Sequence, residues 1–306
     1  MERRTSPPAV YTIILNYNNY SDTVQTLDSV FSLDYDSDSV LLVENSTDKN
    51  VIEKIRSRFP GLNIIENGKN MGYAGGNNVG IQQALLSQAD YIFLLNNDVA
   101  LEPDVLKKCV SAMEISPDCA ACQPLIALDT HRDTVWSAGT QLFFWYPRLS
   151  LKGTQLQKNG IRTAPFGLVG CALLFRASAL RNIGLFDESL FLFHEETDWC
   201  IRARQKNFSL LVISDAVVYH KISTTIGLFS NVYLYYIGRN WLLVGKKNFG
   251  RISYFSILVT ELFIRFPYYL FCLIKKGQPA MIKYYLRGIF DGICGISGEA
   301  TAERLS

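Results

Sequence analysis

A chain of 306 residues that is 48% hydrophobic and 19% charged can build one large α/β domain, or a medium domain with an appendage, and is too apolar for wholesale disorder. Its formal net charge of +2 excludes the strongly basic surface of a general nucleic-acid binder, so no nucleic-acid partner is expected. The basic residues cluster at the two ends, in "MERRTSPP" and after Arg239.

No apolar run precedes Ala9, so no signal peptide is expected and a cytosolic start is the default. From Ala9 the pattern alternates. "AVYTIIL" (9–15) reads as a central strand, followed by a helix that Ser21 can cap, with Val24, Leu27, Val30 and Phe31 on one face. "SVLLVEN" is a second strand, 48–59 a second helix, "LNIIEN" a third strand, 77–87 a third helix and "DYIFLL" a fourth strand. Strand and helix in alternation predict a mostly parallel, doubly wound, Rossmann-like sheet flanked by helices.

A helix is expected over 103–115, then strands near 119–127 and 135–145. Residues 147–163 lack apolar periodicity and carry Arg148, Lys152, Lys158 and Arg162, the signature of a mobile, solvent-facing loop beside a site. "GLVGCALLF" returns to strand, 176–183 to helix, and "EETDWCIRARQKN" is a helix with acids first and bases last, as the helix dipole favours. "SLLVISDAVVYH" closes the globular part. The seven cysteines (109, 119, 122, 171, 200, 272 and 294) form no framework and imply a reducing compartment with mostly buried thiols. Cys119 and Cys122 make a CxxC without a second pair, which reads as core packing rather than zinc.

Composition changes at about 225, which divides the chain into 1–224 and a helical 225–306. Between Arg251 and Lys275 lie 23 apolar-rich residues, 252–274, long enough to cross a bilayer. Glu261 and Arg265 sit in the middle of it. Each charge at the centre of a spanning helix costs about 2.5–3.5 kcal/mol, so an element lying in the membrane surface is preferred to a spanning one. Packing on the sheet or on a second subunit is the alternative, and a homodimer stays open.

Ligands of open parallel sheets sit beyond the carboxyl ends of the strands. Here those ends carry Asn16-Tyr17-Asn18, Glu44-Asn45, Asn67 onward and Asn96-Asn97-Asp98, which suggests one shared crevice. "NMGYAGGNNVG" (70–80) can cradle a phosphate, or can be only a tight turn and helix start; it matches neither GxGxxG nor a P-loop. Glu195, Glu196 and Asp198 crowd one helix start. Successive helical residues lie about 100° apart, so one can work in the crevice while another anchors neighbouring backbone or Arg202. Crowding raises carboxyl pKa values, as suits a general base, although a solvated helix start has the same look. His131 lies in a polar turn and has no assigned role. His220 ends a strand, where it is either structural or, beside Asp98, part of a metal site.

In order, "YTIILNYNN", "LLVENSTD", "NMGYAGGNN", "LLNNDVALEPD", "GCALLFRASALRNIGLFDESLFLFHEETDWCIRARQKNF" and "VVYH" resemble the inverting nucleotide-sugar glycosyltransferases of family 2, in particular the rhamnosyltransferase-like subgroup, over roughly 9–222. The resemblance implies a GT-A fold. It implies that Asp98, with Asn96 and His220, holds Mg²⁺ or Mn²⁺ on the donor diphosphate. It places Tyr17, Asn18 and Glu44 at the nucleoside, and "NMGYAGGNN" (Asn70, Gly72, Gly75 and Asn77 among them) with Asn97 around the ribose and diphosphate. Glu196 takes the place of the catalytic base, with Glu195 and Asp198 beside it. Asn96 stands where the family has an aspartate, and Glu44 and Glu196 are each one methylene longer than the usual residue. The implied partners are a dTDP- or UDP-sugar, with dTDP-rhamnose the first candidate, and a lipid-linked saccharide met at the cytoplasmic face of the cell membrane by a peripheral enzyme of envelope polysaccharide synthesis, such as O-antigen. Sugar-phosphate nucleotidyl transfer and a catalytically inactive nucleotide-sugar binder are the rival functions.

Overall fold

The computed structural model describes residues 7–35, 39–222 and 227–305. The basic start over 1–6 and the expected boundary at 224/225 lie outside the described residues. Strands β1 (Val10–Asn16), β2 (Ser39–Glu44), β3 (Asn63–Glu66) and β4 (Tyr91–Asn96) are parallel in the order β4-β1-β2-β3. Helices α1 (Tyr20–Val30), α2 (Lys49–Arg58) and α3 (Gly72–Leu86) connect them. Because strand side chains alternate between faces, Ile14, Leu42, Phe93 and Leu95 enter one core layer, and Ile13, Leu41, Ile92 and Leu94 the other.

Two helix starts differ from expectation. Asn19, not Ser21, caps α1, its side chain accepting from the Asp22 amide at 3.2 Å. Helix α3 begins at Gly72 rather than 77. Its glycines oppose helix propensity locally, but tertiary packing demands them: a Cβ on Gly76 would stand 2.6 Å from Leu15 Cδ1, and one on Gly80 2.7 Å from Ile13 Cγ2. The missing side chains let α3 lie directly on the sheet.

The other half of the sheet is mixed rather than parallel. After β5 (Val99–Leu101) and α4 (Val105–Glu114) come β6 (Cys119–Leu128), β7 (Val135–Ser137), a hairpin of β8 (Thr140–Phe143) and β9 (Tyr146–Leu149), β10 (Ile161–Thr163) and β11 (Ala172–Arg176). Helices α5 (Ala177–Ile183) and α6 (Glu195–Gln205) lead to β12 (Ser209–His220). Strand β11 is antiparallel to both of its neighbours, β4 and β6. No helical crossover joins β6 to β11, and parallel neighbours need one. The 147–163 segment is anchored by ladder bonds, through β9 to β8 and through β10 to β12, because residues distant in sequence supply the pairing its own pattern lacks. The cysteines at 109, 119, 122, 171 and 200 are buried and unpaired, as core packing requires.

Helices α7 (Asn231–Asn248), α8 (Arg251–Thr260), α9 (Phe266–Lys275) and α10 (Ile282–Cys294) form a third hydrophobic cluster that takes in Leu190 and Ile201. Glu261–Arg265 is a single π-helical turn between α8 and α9. By length and composition Arg251–Lys275 could cross a membrane, and a third of its most apolar stretch is buried within the protein. Glu261 and Arg265 pair with each other, and Tyr285 donates to Glu261. The insertion cost counted against spanning therefore does not apply as expected, since both charges point inward. The outward face carries Ile252, Phe255, Phe263, Phe271 and Ile274, each more than half exposed.

Candidate active site

Register aligns the polar strand ends. Asn16 is level with Glu44, Glu44 with Glu66, and Leu15 with Asn96. Beyond them opens a cavity of about 1680 Å³, lined on one side by Tyr17, Asn45, Asn70, Gly72, Asn96, Asn97 and Asp98 and on the other by His194, Glu195, Glu196, Tyr233 and Arg265.

Asp98 leaves β4 into a tight turn, and β5 then pairs antiparallel with β12, setting His220 opposite Val99. That pairing carries His220 Nε2 to 3.1 Å from Asp98 Oδ1, with both side chains buried. Trp136 packs edge-on against the imidazole at 4.8 Å. His220 Nδ1 and Asn96 Oδ1 are buried without a hydrogen-bond partner. A carboxylate, an imidazole and an unsatisfied amide oxygen are a donor set suited to Mg²⁺ or Mn²⁺.

Asn97 faces the other way. Its Nδ2 donates to Asn16 Oδ1 at 2.8 Å and to Thr23 Oγ1 at 3.0 Å, which fixes the turn to β1 and α1. Glu44 is fully buried below the cavity, its oxygens accepting from Asn16 Nδ2 at 2.6 Å and from the Ser46 amide at 2.8 Å. Tyr17 lines the wall and is 39% exposed, so a planar group can stack on it. Asn18, exposed and left-handed at φ 54°, forms the turn behind it.

The glycine-rich segment divides. Asn70 Oδ1 accepts from the Gly72 amide at 2.9 Å. Gly72 has φ +70°, and a Cβ there would fall 2.3 Å from the Phe191 carbonyl. That carbonyl already accepts from the Tyr73 and Ala74 amides at 2.7 and 3.3 Å. Two donors that could cradle a phosphate are thus occupied from within, while Gly75 and Asn77 lie along α3 and off the cavity wall. Asn45, one of the polar strand ends, organises the turn: Nδ2 donates to the Gly72 carbonyl at 2.8 Å and Oδ1 accepts from Asn67 at 2.8 Å.

Phe191, Phe193 and His194 all have positive φ (62°, 67° and 72°), a concentration of backbone strain of the sort found at functional sites. They deliver the start of α6 to the cavity. Glu195 and Glu196 both reach it; the turn of the helix does not separate them as the 100° argument suggested, because the cavity wraps around the helix start. Glu195 Oε2 is buried without a partner. Burial, with the Glu196 charge second, holds the Glu195 carboxyl well above the carboxylate range, and burial pushes Glu196 up to about 7. His194 Nε2 also lacks a partner, and burial together with nearby Arg265 lowers its pKa to about 3. His194 comes to the cavity with the acids it precedes in sequence, whereas Arg265 arrives only through packing of a distant segment.

Asp198 lies off the cavity and is fully buried. It accepts from Arg202 Nε at 2.7 Å, Lys247 Nζ at 3.1 Å and Asn248 Nδ2 at 2.7 Å, tying α6 to the end of α7. Truncating it removes the acceptor of the half-buried Arg202 and of Asn248. Asp198→Ala is expected to lower stability by about 1–3 kcal/mol, visible as a fall in Tm that bound donor does not restore to the wild-type value.

The sequence pattern of the family described as "Glycosyl transferase family 2" matches residues 11–184, more than half of the chain. The chain belongs to that family and is a glycosyltransferase. It is 24% identical over 314 residues to "dTDP-rhamnosyl transferase RfbF" of Shigella flexneri, covering 94% of this chain and 97% of the relative. It is 28% identical over 217 residues to "N-acetylglucosaminyl-diphospho-decaprenol L-rhamnosyltransferase" of Mycobacterium tuberculosis, covering 61% and 68%. The mixed sheet matches GT-A enzymes. The solved structure of GalNAc-T7 with UDP, GalNAc and Mn²⁺ superposes with a TM-score of 0.63 at 15% identity, over 79% of this chain and about half (48%) of the other.

Proposed function

We propose that the protein transfers rhamnose from dTDP-rhamnose to a hydroxyl of a lipid-linked saccharide, with inversion and with the help of a divalent cation, during synthesis of a cell-envelope polysaccharide such as O-antigen at the cytoplasmic face of the membrane. The observation that carries this reading is the gathering of two different acid sites around one cavity: Asp98 with His220 at 3.1 Å, and the Glu195–Glu196 pair at the start of α6. The names of the rhamnosyltransferase relatives support the donor. The Mycobacterium relative, named for a diphospho-decaprenol acceptor, supports the acceptor class.

Asp98, His220 and Asn96 would hold the cation, which neutralises charge developing on the departing nucleoside diphosphate. Tyr17 stacks on the base. Glu196 takes the proton of the acceptor hydroxyl as it attacks the anomeric carbon from the face opposite the diphosphate, so no covalent sugar–enzyme bond forms. Burial, with the Glu196 charge second, favours the protonated form of the neighbouring Glu195, which relieves the repulsion between two adjacent carboxylates.

A thermal-shift panel of nucleotide sugars tests the reading. dTDP-rhamnose is expected to stabilise the protein only together with Mn²⁺ or Mg²⁺, by about 2.7 kcal/mol at one hundred times its Kd. Absence of any metal-dependent shift across dTDP- and UDP-sugars would contradict it. The exposed apolar face of α8 and α9, with the opposite face attached to α7 and α10, suits a helix lying in the membrane surface. The protein is expected to float with anionic liposomes, and replacement of Phe255, Phe263 and Phe271 by serine to leave it in the soluble fraction.

A further inference from the structure

At about 1680 Å³ the cavity exceeds the roughly 300–1,000 Å³ of a pocket for one small ligand. Its lining carries the acids Asp98, Glu195, Glu196 and Glu299 and the cations Arg148, Lys152 and Arg265. These three cations are not equivalent. Arg265 is buried and committed to Glu261, with its guanidinium 3.5 Å over the Tyr146 ring. Arg148 and Lys152 are exposed and form no ion pair among the described residues. A donor diphosphate beside Asp98 therefore requires a cation from solution. An anion beside Arg148 and Lys152 meets side chains whose charge no acid among the described residues takes up.

Apolar groups surround those cations. Phe143 and Phe144 stand at the tip of the β8–β9 hairpin, 46% and 60% exposed, and both line the cavity mouth. Arg148 lies 4.7 Å from the Phe143 ring centroid, and its charge is felt at Tyr268 of α9. Ile264 and Tyr268 line the facing side, 43% and 59% exposed. From there the surface continues onto the bare apolar face of α8 and α9. Water-exposed aromatics beside Arg148, with Lys152 on the same cavity lining, describe a ligand with a strongly anionic head followed at once by an apolar chain.

We infer that this mouth is a subsite for a prenyl diphosphate: Arg148 and Lys152 hold the acceptor's diphosphate, and Phe143, Phe144, Ile264 and Tyr268 clasp its first isoprene units. The inference rests on the reading of the chain as a transferase to a lipid-linked acceptor and specifies how that acceptor is held. With the diphosphate seated there, the saccharide beyond it extends inward toward Glu196, while the lipid runs outward to the membrane. Two diphosphates then share one cavity, one neutralised through Asp98 and His220, the other by side chains of the hairpin.

The test is a calorimetric titration of farnesyl diphosphate, below its micellar concentration, into full-length protein already loaded with dTDP and Mn²⁺. Loading fills the donor end, so a diphosphate that binds must use the other. The wild type is expected to bind, and Arg148→Ala/Lys152→Ala to bind about 10- to 100-fold more weakly, with dTDP–Mn²⁺ affinity unchanged. Phe143→Ser/Phe144→Ser is expected to weaken farnesyl diphosphate and to leave methyl diphosphate alone. Binding that disappears once dTDP and Mn²⁺ are present, or that survives unchanged in Arg148→Ala/Lys152→Ala, overturns the assignment. If wild-type protein takes farnesyl diphosphate but never dTDP–Mn²⁺, the donor reading fails while the subsite stands.

Discussion

Asp98→Ala is expected to reduce sugar transfer on the order of 10³-fold, equivalent to about 4 kcal/mol of transition-state stabilisation. Asp98 is the one carboxylate at the carboxyl end of β4, and His220 lies against it at 3.1 Å. Without it an imidazole and a neutral amide remain, a poor set for a hard divalent ion. Raising Mn²⁺ should recover part of the loss if the defect is metal affinity. His220→Asn, which keeps Asp98, is expected to cost about 10- to 100-fold, the range for groups that support a metal ligand. Steady-state transfer at several metal concentrations measures both. Wild-type rates in Asp98→Ala would remove the metal assignment.

Glu196→Gln is expected to lower kcat about 10²- to 10⁴-fold, the range for a general base, with little change in donor affinity. Glu195→Gln should cost less; a reversed order would move the base by one residue. The wild-type kcat/KM is expected to rise with pH through about 7, where burial places the Glu196 carboxyl, because only its ionised form accepts the proton. The stability effect has the opposite sign. Glu196 holds its proton to about 7 in the folded chain, against an ordinary value of 4.5. Between those values the unfolded chain has released a proton that the folded chain keeps, so this residue's contribution to stability falls as pH rises. Glu196→Gln should therefore melt above wild type at pH 8 and level with it at pH 4. An inactive variant that is also less stable at pH 8 would point to a structural role instead.

The strands β1 to β4 were legible because a buried parallel strand is a run of β-branched and aliphatic residues, and "YTIIL" and "YIFLL" admit little else. Their polar ends were legible for the same reason. The antiparallel β11 was not, since direction depends on how the chain returns between β6 and β11, which no local pattern records. The Asp98–His220 contact rests on β5, a three-residue strand too short to carry a periodic signal. Glu44 and Asn97 look from sequence like ligand-facing groups; bonds to Asn16 and Thr23 absorb them. The glycines of "NMGYAGGNNVG" combine two demands, a positive φ at Gly72 and close helix–sheet contact at Gly76 and Gly80, and only the structure separates these from phosphate binding. Arg265 is the plainest case: read alone it is a charge in an apolar helix, and in the fold it faces Glu261 and the cavity.

The most direct test follows the anomeric proton by NMR while wild-type protein, Mn²⁺, dTDP-rhamnose and a diphosphate-linked saccharide acceptor react. Release of dTDP is expected, matched by a new glycosidic signal of the opposite anomeric configuration to the donor, and both are expected to be lost in Glu196→Gln. A product with the donor's configuration would contradict single displacement by Glu196, and so would an undiminished signal in that variant.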